Sequence, residues 1–218
     1  YGTSLETANK LATLTLEFNG DKQISYSGQP YNGVNIPDKE EFSTATGESV
    51  TVKYEGRDGT DYNESETAPT DSGKYTVKVY VGDSGQAENC RLTDNFEINR
   101  ASINPEIKLD DVTYGQVPDI QVDGNTGNGN IKYEYKLQGN ADETYIEITG
   151  EDFKTLPVGK YRLKATIEAT ANYEGGSAEC DFNVVRANAT NENSKVSIHD
   201  WTYGDKEELP SIDNSRLN

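Results

Sequence analysis

The sequence has few of the residues on which catalysis and metal binding usually depend. Its 218 residues include one histidine, one tryptophan and two cysteines. The single histidine, His199, has no second histidine or neighbouring cysteine with which to hold a metal ion. The many acidic residues do not by their spacing alone select a catalytic pair. We therefore expect no enzymatic activity, and calcium is the one cofactor left open.

Long apolar runs and an excess of positive charge are also missing. Hydrophobic residues make up 33% of the chain, and no apolar run approaches the roughly 20 residues that span a bilayer. The net charge of −18 repels phosphate backbones and anionic lipid surfaces. This composition excludes nucleic acid as a partner and predicts no membrane insertion of this segment.

The two cysteines, Cys90 and Cys180, precede similar strand-like segments. Roughly equivalent positions in successive domains lie about a domain length apart, which is too far for a disulfide. We predict two half-buried free thiols.

The chain does contain an internal repeat. A spacing of 86 residues separates Tyr75 from Tyr161 and also Phe96 from Phe182. Self-similarity at a fixed period is typical of modular arrays in which each copy folds as one unit. Because the chain opens in mid-pattern, we expect it to be a piece of a longer protein.

The period predicts the domain organisation. We expect a linker or the end of a preceding repeat over residues 1–10, repeat 1 over 11–100 and repeat 2 over 101–187. Residues 188–218 would be the truncated start of repeat 3, because Tyr203 there follows the pattern of Tyr114. A lone start of a repeat cannot bury its apolar face, so we expect its strands to add to an exposed sheet edge of repeat 2 or of a neighbouring molecule.

Strand signals dominate both copies. Apolar and polar residues alternate over 75–79 and again over 161–165, which is typical of antiparallel strands with one buried face. Turn-rich stretches such as 56–59 and 127–130 separate these runs. No segment shows sustained helical periodicity. The chain is therefore predicted to be all-β, with two tandem antiparallel β-sandwich domains and the truncated start of a third repeat.

One motif identifies the kind of sandwich. The segment from Asp71 to Val77 resembles the tyrosine-corner stretch of immunoglobulin domains, in which a tyrosine hydroxyl bonds back to the main chain. Tyr75 and Tyr161 are the corresponding residues here, and we assign them a structural role. Val77 and Leu163 stand where those domains have a disulfide cysteine, so an apolar contact is expected instead. Both domains are thus predicted to be Ig-like.

A longer ordered pattern extends this resemblance. It comprises Tyr26–Pro30, Val52–Tyr54, Pro69–Val79, Phe96–Ile98, Ala171–Tyr173 and Trp201–Gly204. The pattern resembles the tandem Ig-like repeats, of the MBG or YDG kind, in large Gram-positive cell-surface proteins. The resemblance implies an extracellular parent, secreted or held in the cell wall, with many copies in series and no catalytic residues.

The resemblance leads to two functional hypotheses. The first is a non-catalytic spacer or stalk whose partners are the neighbouring repeats of the same chain and which projects a distal functional domain. The second is an adhesin module whose variable loops, around 56–68 and 123–147, bind host glycans or matrix proteins. Glycan sites need exposed aromatic platforms, and the candidates in turn-rich stretches are Tyr62, Tyr135 and Tyr145.

A metal site is the next candidate. Asp123, Asn125 and Asn128 could supply oxygen ligands to calcium, but the loop lacks the downstream bidentate glutamate of a calcium-binding loop. A plain hairpin loop is the competing interpretation. An acidic stretch that includes Asp58 and Glu64 is a second candidate, with solvated surface as its alternative.

A covalent cross-link between strands is a further hypothesis. Some Gram-positive surface sandwiches join a lysine of the first strand to an asparagine of the last. Lys22 with Asn95 or Asn99, and Lys108 with Asn183, are the pairs this sequence offers. The two lysines fall out of register between the copies, which disfavours the hypothesis.

Overall fold

The computed structural model describes residues 14–139, 145–188, 196–197, 202–204 and 211–212. The first six strands are β1 Glu17–Phe18, β2 Gln23–Ser25, β3 Val34–Asn35, β4 Val50–Arg57, β5 Gly73–Val81 and β6 Cys90–Asn99. They are followed by β7 Glu106–Lys108, β8 Val112–Thr113, β9 Gln121–Asp123, β10 Ile131–Leu137, β11 Ile146–Glu147, β12 Gly159–Ile167, β13 Gly176–Val185, β14 Val196–Ser197 and β15 Ser211–Ile212. The described helices are α1 Lys39–Thr46 and two 3-10 turns, Ala87–Asn89 and Gly150–Thr155.

Two larger sheets share one construction. One has the strand order β2-β6-β5-β4 and the other β11-β10-β12-β13-β8. In both, the short edge strand runs parallel to the last long strand, with Ile24 opposite Ile98 and Val112 opposite Val184. The all-β prediction is confirmed. The parallel edge strands are only two or three residues long, too short for alternation to reveal their direction.

The chain divides into two compact units, each of which is discontinuous in sequence. The first comprises Tyr1–Ile107, Val122–Lys132 and Ala165–Ala178. The second comprises Lys108–Gln121, Tyr133–Lys164 and Glu179–Asn218.

Stacked aromatic rings form the centre of the first unit. Phe96 lies opposite Tyr75 across β5 and β6, and their rings stack at a centroid distance of 5.4 Å. Tyr31 stacks on the other side of Phe96 at 4.0 Å. Phe18 of β1 contacts the same ring at 6.4 Å and so joins the small β1-β3 sheet to the four-stranded one. Burying these rings together removes large apolar surfaces from water.

The second unit repeats this arrangement. Tyr161 and Phe182 stack at 5.4 Å, and Phe153 packs against Phe182 at 5.8 Å. Strands β6 and β13 have the same sequence of exposed and buried positions. Val77 and Leu163, where an immunoglobulin domain has its cysteine, are both completely buried. The 86-residue period is thus the spacing of equivalent core residues.

The hydroxyls of the two stacked tyrosines bond back to the main chain. Tyr75 Oη donates to the carbonyl of Asp71 at 2.7 Å, and Tyr161 Oη donates to that of Pro157 at 2.8 Å. Burial raises the pKa of both hydroxyls, so they remain protonated donors over the neutral range. Each bond fixes the loop that leads into a central strand, β5 or β12.

Helix α1 was not predicted from the sequence. Left-handed residues flank it, Asp38 at φ 59° and Gly47 at φ 76°, and the Gly47 amide bonds to the Ser43 carbonyl at 2.9 Å. None of its residues is buried. The helix therefore lacks the apolar stripe that sequence periodicity detects. Among the described residues, no helix combines the length and apolar character that crossing a membrane requires.

The two described strands of the tail pair with one another. Strands β14 and β15 form a separate antiparallel pair, with Val196 opposite Ile212. The prediction that the tail adds to the sheet edge of repeat 2 is wrong for these residues, and addition to a neighbouring molecule stays a prediction. The two strands instead supply each other's main-chain hydrogen-bond partners.

The tyrosine hydroxyl bonds give a first testable prediction. Replacing Tyr75 or Tyr161 by phenylalanine removes the donor and leaves a carbonyl without its partner. We expect each variant to lower the free energy of unfolding by about 1–2 kcal/mol in urea titrations followed by circular dichroism. Tyr203→Phe is the matched control, because Tyr203 is fully exposed and its replacement should have no effect. Unchanged stability in both corner variants would contradict this role.

Candidate functional site

A tight turn at residues 170–174, here called the junction loop, contacts repeat 1. The Thr170 amide bonds to the Tyr173 carbonyl at 3.0 Å and closes the turn. At its tip, the Asn172 side chain uses both ends of its amide group. Oδ1 accepts from the Ser72 main-chain N–H at 2.8 Å, and Nδ2 donates to Asp71 Oδ1 at 2.9 Å. All of these residues belong to the first compact unit.

Main-chain bonds hold the same loop to residues 100–101, where the sequence predicts the boundary between the repeats. The Ala101 amide donates to the Asn172 carbonyl, and the Glu174 amide donates to the Ala101 carbonyl, both at 2.9 Å. Arg100 Nε reaches the Ala171 carbonyl at 3.3 Å. The link is therefore paired like a short strand on one side. These hydrogen bonds reduce the conformational freedom that an unpaired linker would have.

Aromatic packing completes this junction. The rings of Tyr26 and Tyr173 meet edge to face at a centroid distance of 5.4 Å. Gly127 passes so close that a Cβ atom on it would lie 2.7 Å from Tyr173 Cβ. A side chain at position 127 would therefore push the tyrosine away from its partner. The sequence pattern contained Tyr26, Asn172 and Tyr173 but assigned them no contact.

The junction gives a second testable prediction. Asn172→Ala removes the acceptor of the Ser72 amide, so we expect that amide to exchange its hydrogen about tenfold faster. Hydrogen exchange measured by NMR provides the readout. Exposed Asn63 lies in the same unit, and Asn63→Ala should leave the Ser72 rate unchanged. An unchanged rate in the Asn172 variant would show that this contact does not hold the loop.

The proposed metal loop has a packing role in the structure. Asn125 Nδ2 donates to the Gly129 carbonyl at 2.9 Å, and its Oδ1 accepts from the Gly129 amide at 3.0 Å. Asn128 adopts φ 52°, and Asp123 lies exposed at the end of β9. Within the described ranges, no group of three or more His, Cys, Asp or Glu side chains is placed to hold a metal ion. Calcium binding at this loop remains a prediction.

The acidic stretch contributes to a charge network on β4 and β5. Glu64 lies 2.9 Å from Lys78 Nζ and 3.4 Å from Lys53 Nζ, and it accepts a 2.9 Å hydrogen bond from Tyr80 Oη. Lys78 also pairs with Glu55 at 2.5 Å. The hydrogen bond from Lys78 is the largest cause that lowers the pKa of Glu64. The bonds to Glu55 and then Glu64 raise the pKa of Lys78.

This network gives a third testable prediction. A lowered pKa in the folded state means that Glu64 stabilises the fold above its ordinary value of 4.5, and that this contribution is lost as the pH falls through the lowered value. The stability gap between the unaltered chain and Glu64→Gln should therefore be constant at neutral pH and shrink below about 4.5. Urea titrations at several pH values measure it. Glu66→Gln, at an exposed position, is the control. A gap that did not change with pH would refute the prediction.

The three candidate glycan platforms occupy different environments. Tyr62 packs edge to face on Tyr75 at 5.7 Å, and its hydroxyl donates to the Thr67 carbonyl. Tyr135 packs in the same way on Tyr161 at 5.9 Å. Both rings thus extend the core of their unit.

The third candidate, Tyr145, faces lysines. The Nζ atom of Lys136 lies 4.7 Å from its ring centroid, and that of Lys164 lies 5.4 Å away. Tyr145 comes directly before Ile146, which pairs with Tyr135 of β10. Glu64 likewise comes directly before Ser65, which forms a β-bridge with Tyr54 of β4. Equivalent positions in the two repeats therefore carry different chemistry.

Three of the residues suggested for cross-linking, Lys22, Asn95 and Asn183, have other partners. Lys22 Nζ lies 2.5 Å from Asp94 Oδ2 in a solvent-exposed ion pair, and Asn95 accepts a hydrogen bond from Thr76. Asn183 Nδ2 donates to Asp111 Oδ1 at 2.8 Å. The two cysteines are free and half-buried.

One segment of the chain matches a known domain family. Residues 12–102 match the model of the MBG domain family. The predicted resemblance to MBG-type repeats is confirmed over that segment. No curated protein matches the chain.

Several solved structures are similar at low identity. The human mucin-like protocadherin EC1-2 is 13% identical over 80% of this chain and 99% of its own, with a TM-score of 0.27. Three N-terminal domains of the bacteriophage RB49 Hoc protein are 15% identical over 79% of this chain and 70% of their own, at 0.28. Drosophila N-cadherin EC1-4 is 14% identical over 87% of this chain and 54% of its own, at 0.24. Structural similarities with TM-scores this low add nothing to the fold described above.

Proposed function

We propose that this chain is a non-catalytic spacer or stalk segment of a repetitive bacterial cell-surface protein, in which it projects a distal functional domain. The junction loop is the observation that carries this proposal. One asparagine side chain and an edge-to-face tyrosine pair hold the junction loop to the first repeat, and two main-chain bonds hold it to Ala101, at the predicted boundary with repeat 2. A protein selected for reach needs such links, because each flexible link shortens the mean distance between the ends of a chain.

Composition and family resemblance support the same proposal. A net charge of −18 keeps the surface soluble and discourages non-specific association. The match of residues 12–102 to the MBG domain family supports a modular repeat there. A location outside the cell, in the wall or secreted, is part of the proposal because it rests on that resemblance.

The adhesin hypothesis is the second candidate. The substitution of Tyr145 for Glu64 at equivalent positions favours it, because surface chemistry that changes between copies is where recognition usually resides. Host glycans and matrix proteins are the partners that this alternative requires.

A distance measurement inside the first unit tests the spacer proposal. Spin labels at Glu66→Cys and Ala169→Cys are introduced in a chain with Cys90 and Cys180 replaced by serine. They lie in Tyr1–Ile107 and Ala165–Ala178, the two segments of one compact unit that the Asn172 contacts join. Pulsed electron paramagnetic resonance should give a single narrow distance distribution. Replacing Asn172 and Tyr173 by alanine should broaden it, whereas Asn63→Ala should not. A broad distribution in the otherwise unaltered chain would overturn the proposal.

A binding screen separates the two candidates. The spacer proposal predicts no binding of the chain to glycan arrays or matrix proteins at micromolar concentration, which corresponds to about −8 kcal/mol. The adhesin alternative predicts binding that Tyr145→Ser abolishes and Tyr62→Phe retains.

A further inference from the structure

Four exposed apolar side chains in the second unit, here called the end patch, form an unusual surface for so acidic a chain. Their exposed fractions are 47% for Tyr114, 45% for Leu137, 51% for Val158 and 39% for Val185. The Tyr114 amide bonds to the Val185 carbonyl at 2.8 Å. A Cβ atom on Gly159, the residue after Val158, would lie 3.6 Å from Leu137 Cδ1. Strand β12 begins at Gly159 and neighbours β13, which ends at Val185, so the two pairs lie on adjacent strands. Exposed apolar surface of this kind usually marks a contact site.

The first repeat shows what such a surface does. Tyr26 corresponds to Tyr114, because its amide bonds to the carbonyl of Asn99 at the end of β6 just as Tyr114 bonds to Val185 at the end of β13. Ser72 corresponds to Val158, since each precedes the Gly-Lys-Tyr that starts a central strand. In the first repeat both positions are covered: the junction loop bonds to Ser72, and Tyr173 packs on Tyr26.

We infer that the end patch is the docking surface for the loop of a third repeat that follows in series. This inference rests on the proposed function, because only an array supplies that repeat. The occupant is the loop that corresponds to residues 170–174 of repeat 2, and it would cover Tyr114 and Val158 as the junction loop covers Tyr26 and Ser72.

The side chains of the end patch favour a loop with an apolar tip and an aromatic residue. Asp71, whose carboxylate accepts from the Asn172 amide, is replaced by Pro157, and Ser72 is replaced by Val158. The second docking surface therefore lacks the carboxylate acceptor of the first. It offers apolar area to the loop tip and, in Tyr114, a ring for an aromatic partner. Covering this surface is favoured by the removal of apolar area from water.

Thiol accessibility tests the inference. Two chains are compared, both with Cys90 and Cys180 replaced by serine: residues 1–218, and an extended chain in which residues 1–187 are followed by a second copy of residues 102–187. The extended chain presents an Ala-Asn-Tyr loop to the end patch. Val158→Cys, made only in the original copy, should react with a water-soluble maleimide about tenfold more slowly in the extended chain. Changing Tyr173 of the added copy to alanine should restore the fast rate.

Two further positions calibrate the measurement. Lys154→Cys, at a half-exposed site in the same unit, should react rapidly in both chains. Ser72→Cys should react slowly in both, because the hydroxyl of Ser72 is buried beneath the junction loop.

The outcomes distinguish the inference from the proposed function. If Val158→Cys reacts equally fast in both chains while Ser72→Cys stays slow, the end patch does not dock a repeat, although the first junction stands. If Ser72→Cys is also fast, the proposed function fails with it. Protection of Val158→Cys that appears in the 1–218 chain only as its concentration rises identifies a second copy as the occupant and overturns the inference. An added copy that remains unfolded by circular dichroism also counts against it.

Discussion

The stacked pair of one tyrosine and one phenylalanine, repeated once in each half of the chain, is the contact on which the structure depends. Tyr75 with Phe96 and Tyr161 with Phe182 have the same 5.4 Å separation. Each tyrosine is also tied by its hydroxyl to the loop before its strand. A single residue thus joins the core to the connection between strands. Without a disulfide, this combination of buried area and one hydrogen bond fixes the sandwich.

Because the core depends on few positions, surface residues can differ between the two repeats. Glu64 in one repeat and Tyr145 in the other occupy corresponding places beside lysines, and Asp71 is replaced by Pro157. These differences leave the stacked rings and the shared burial pattern of β6 and β13 unaltered, because the substituted side chains lie outside the stacked rings. Repeats of this kind can therefore share a fold while each acquires its own contacts.

The junction loop shows how a connection gains rigidity from a neighbouring turn. Ala101 exchanges main-chain hydrogen bonds with the loop, and the Asn172 amide is matched to one acceptor and one donor. Such pairing satisfies polar groups that a free linker would leave to water. The close approach of Gly127 to Tyr173 couples a glycine-rich turn to the same contact. Gly127 lies between the proposed calcium ligands Asn125 and Asn128, and its lack of a side chain is explained by this packing.

The sequence by itself determined the all-β class, because alternation within each strand reports which side chains face a core, and the 86-residue period reports that the core recurs. Local patterns of this kind need no knowledge of distant partners. Tertiary structure decided the rest. The exposed helix α1 has no apolar stripe to detect, the parallel edge strands are too short, and the partners of Asn172 lie about a hundred residues away in the chain. Contacts between such distant residues depend on how the sheets bring their loops together, and no periodicity in the sequence records that.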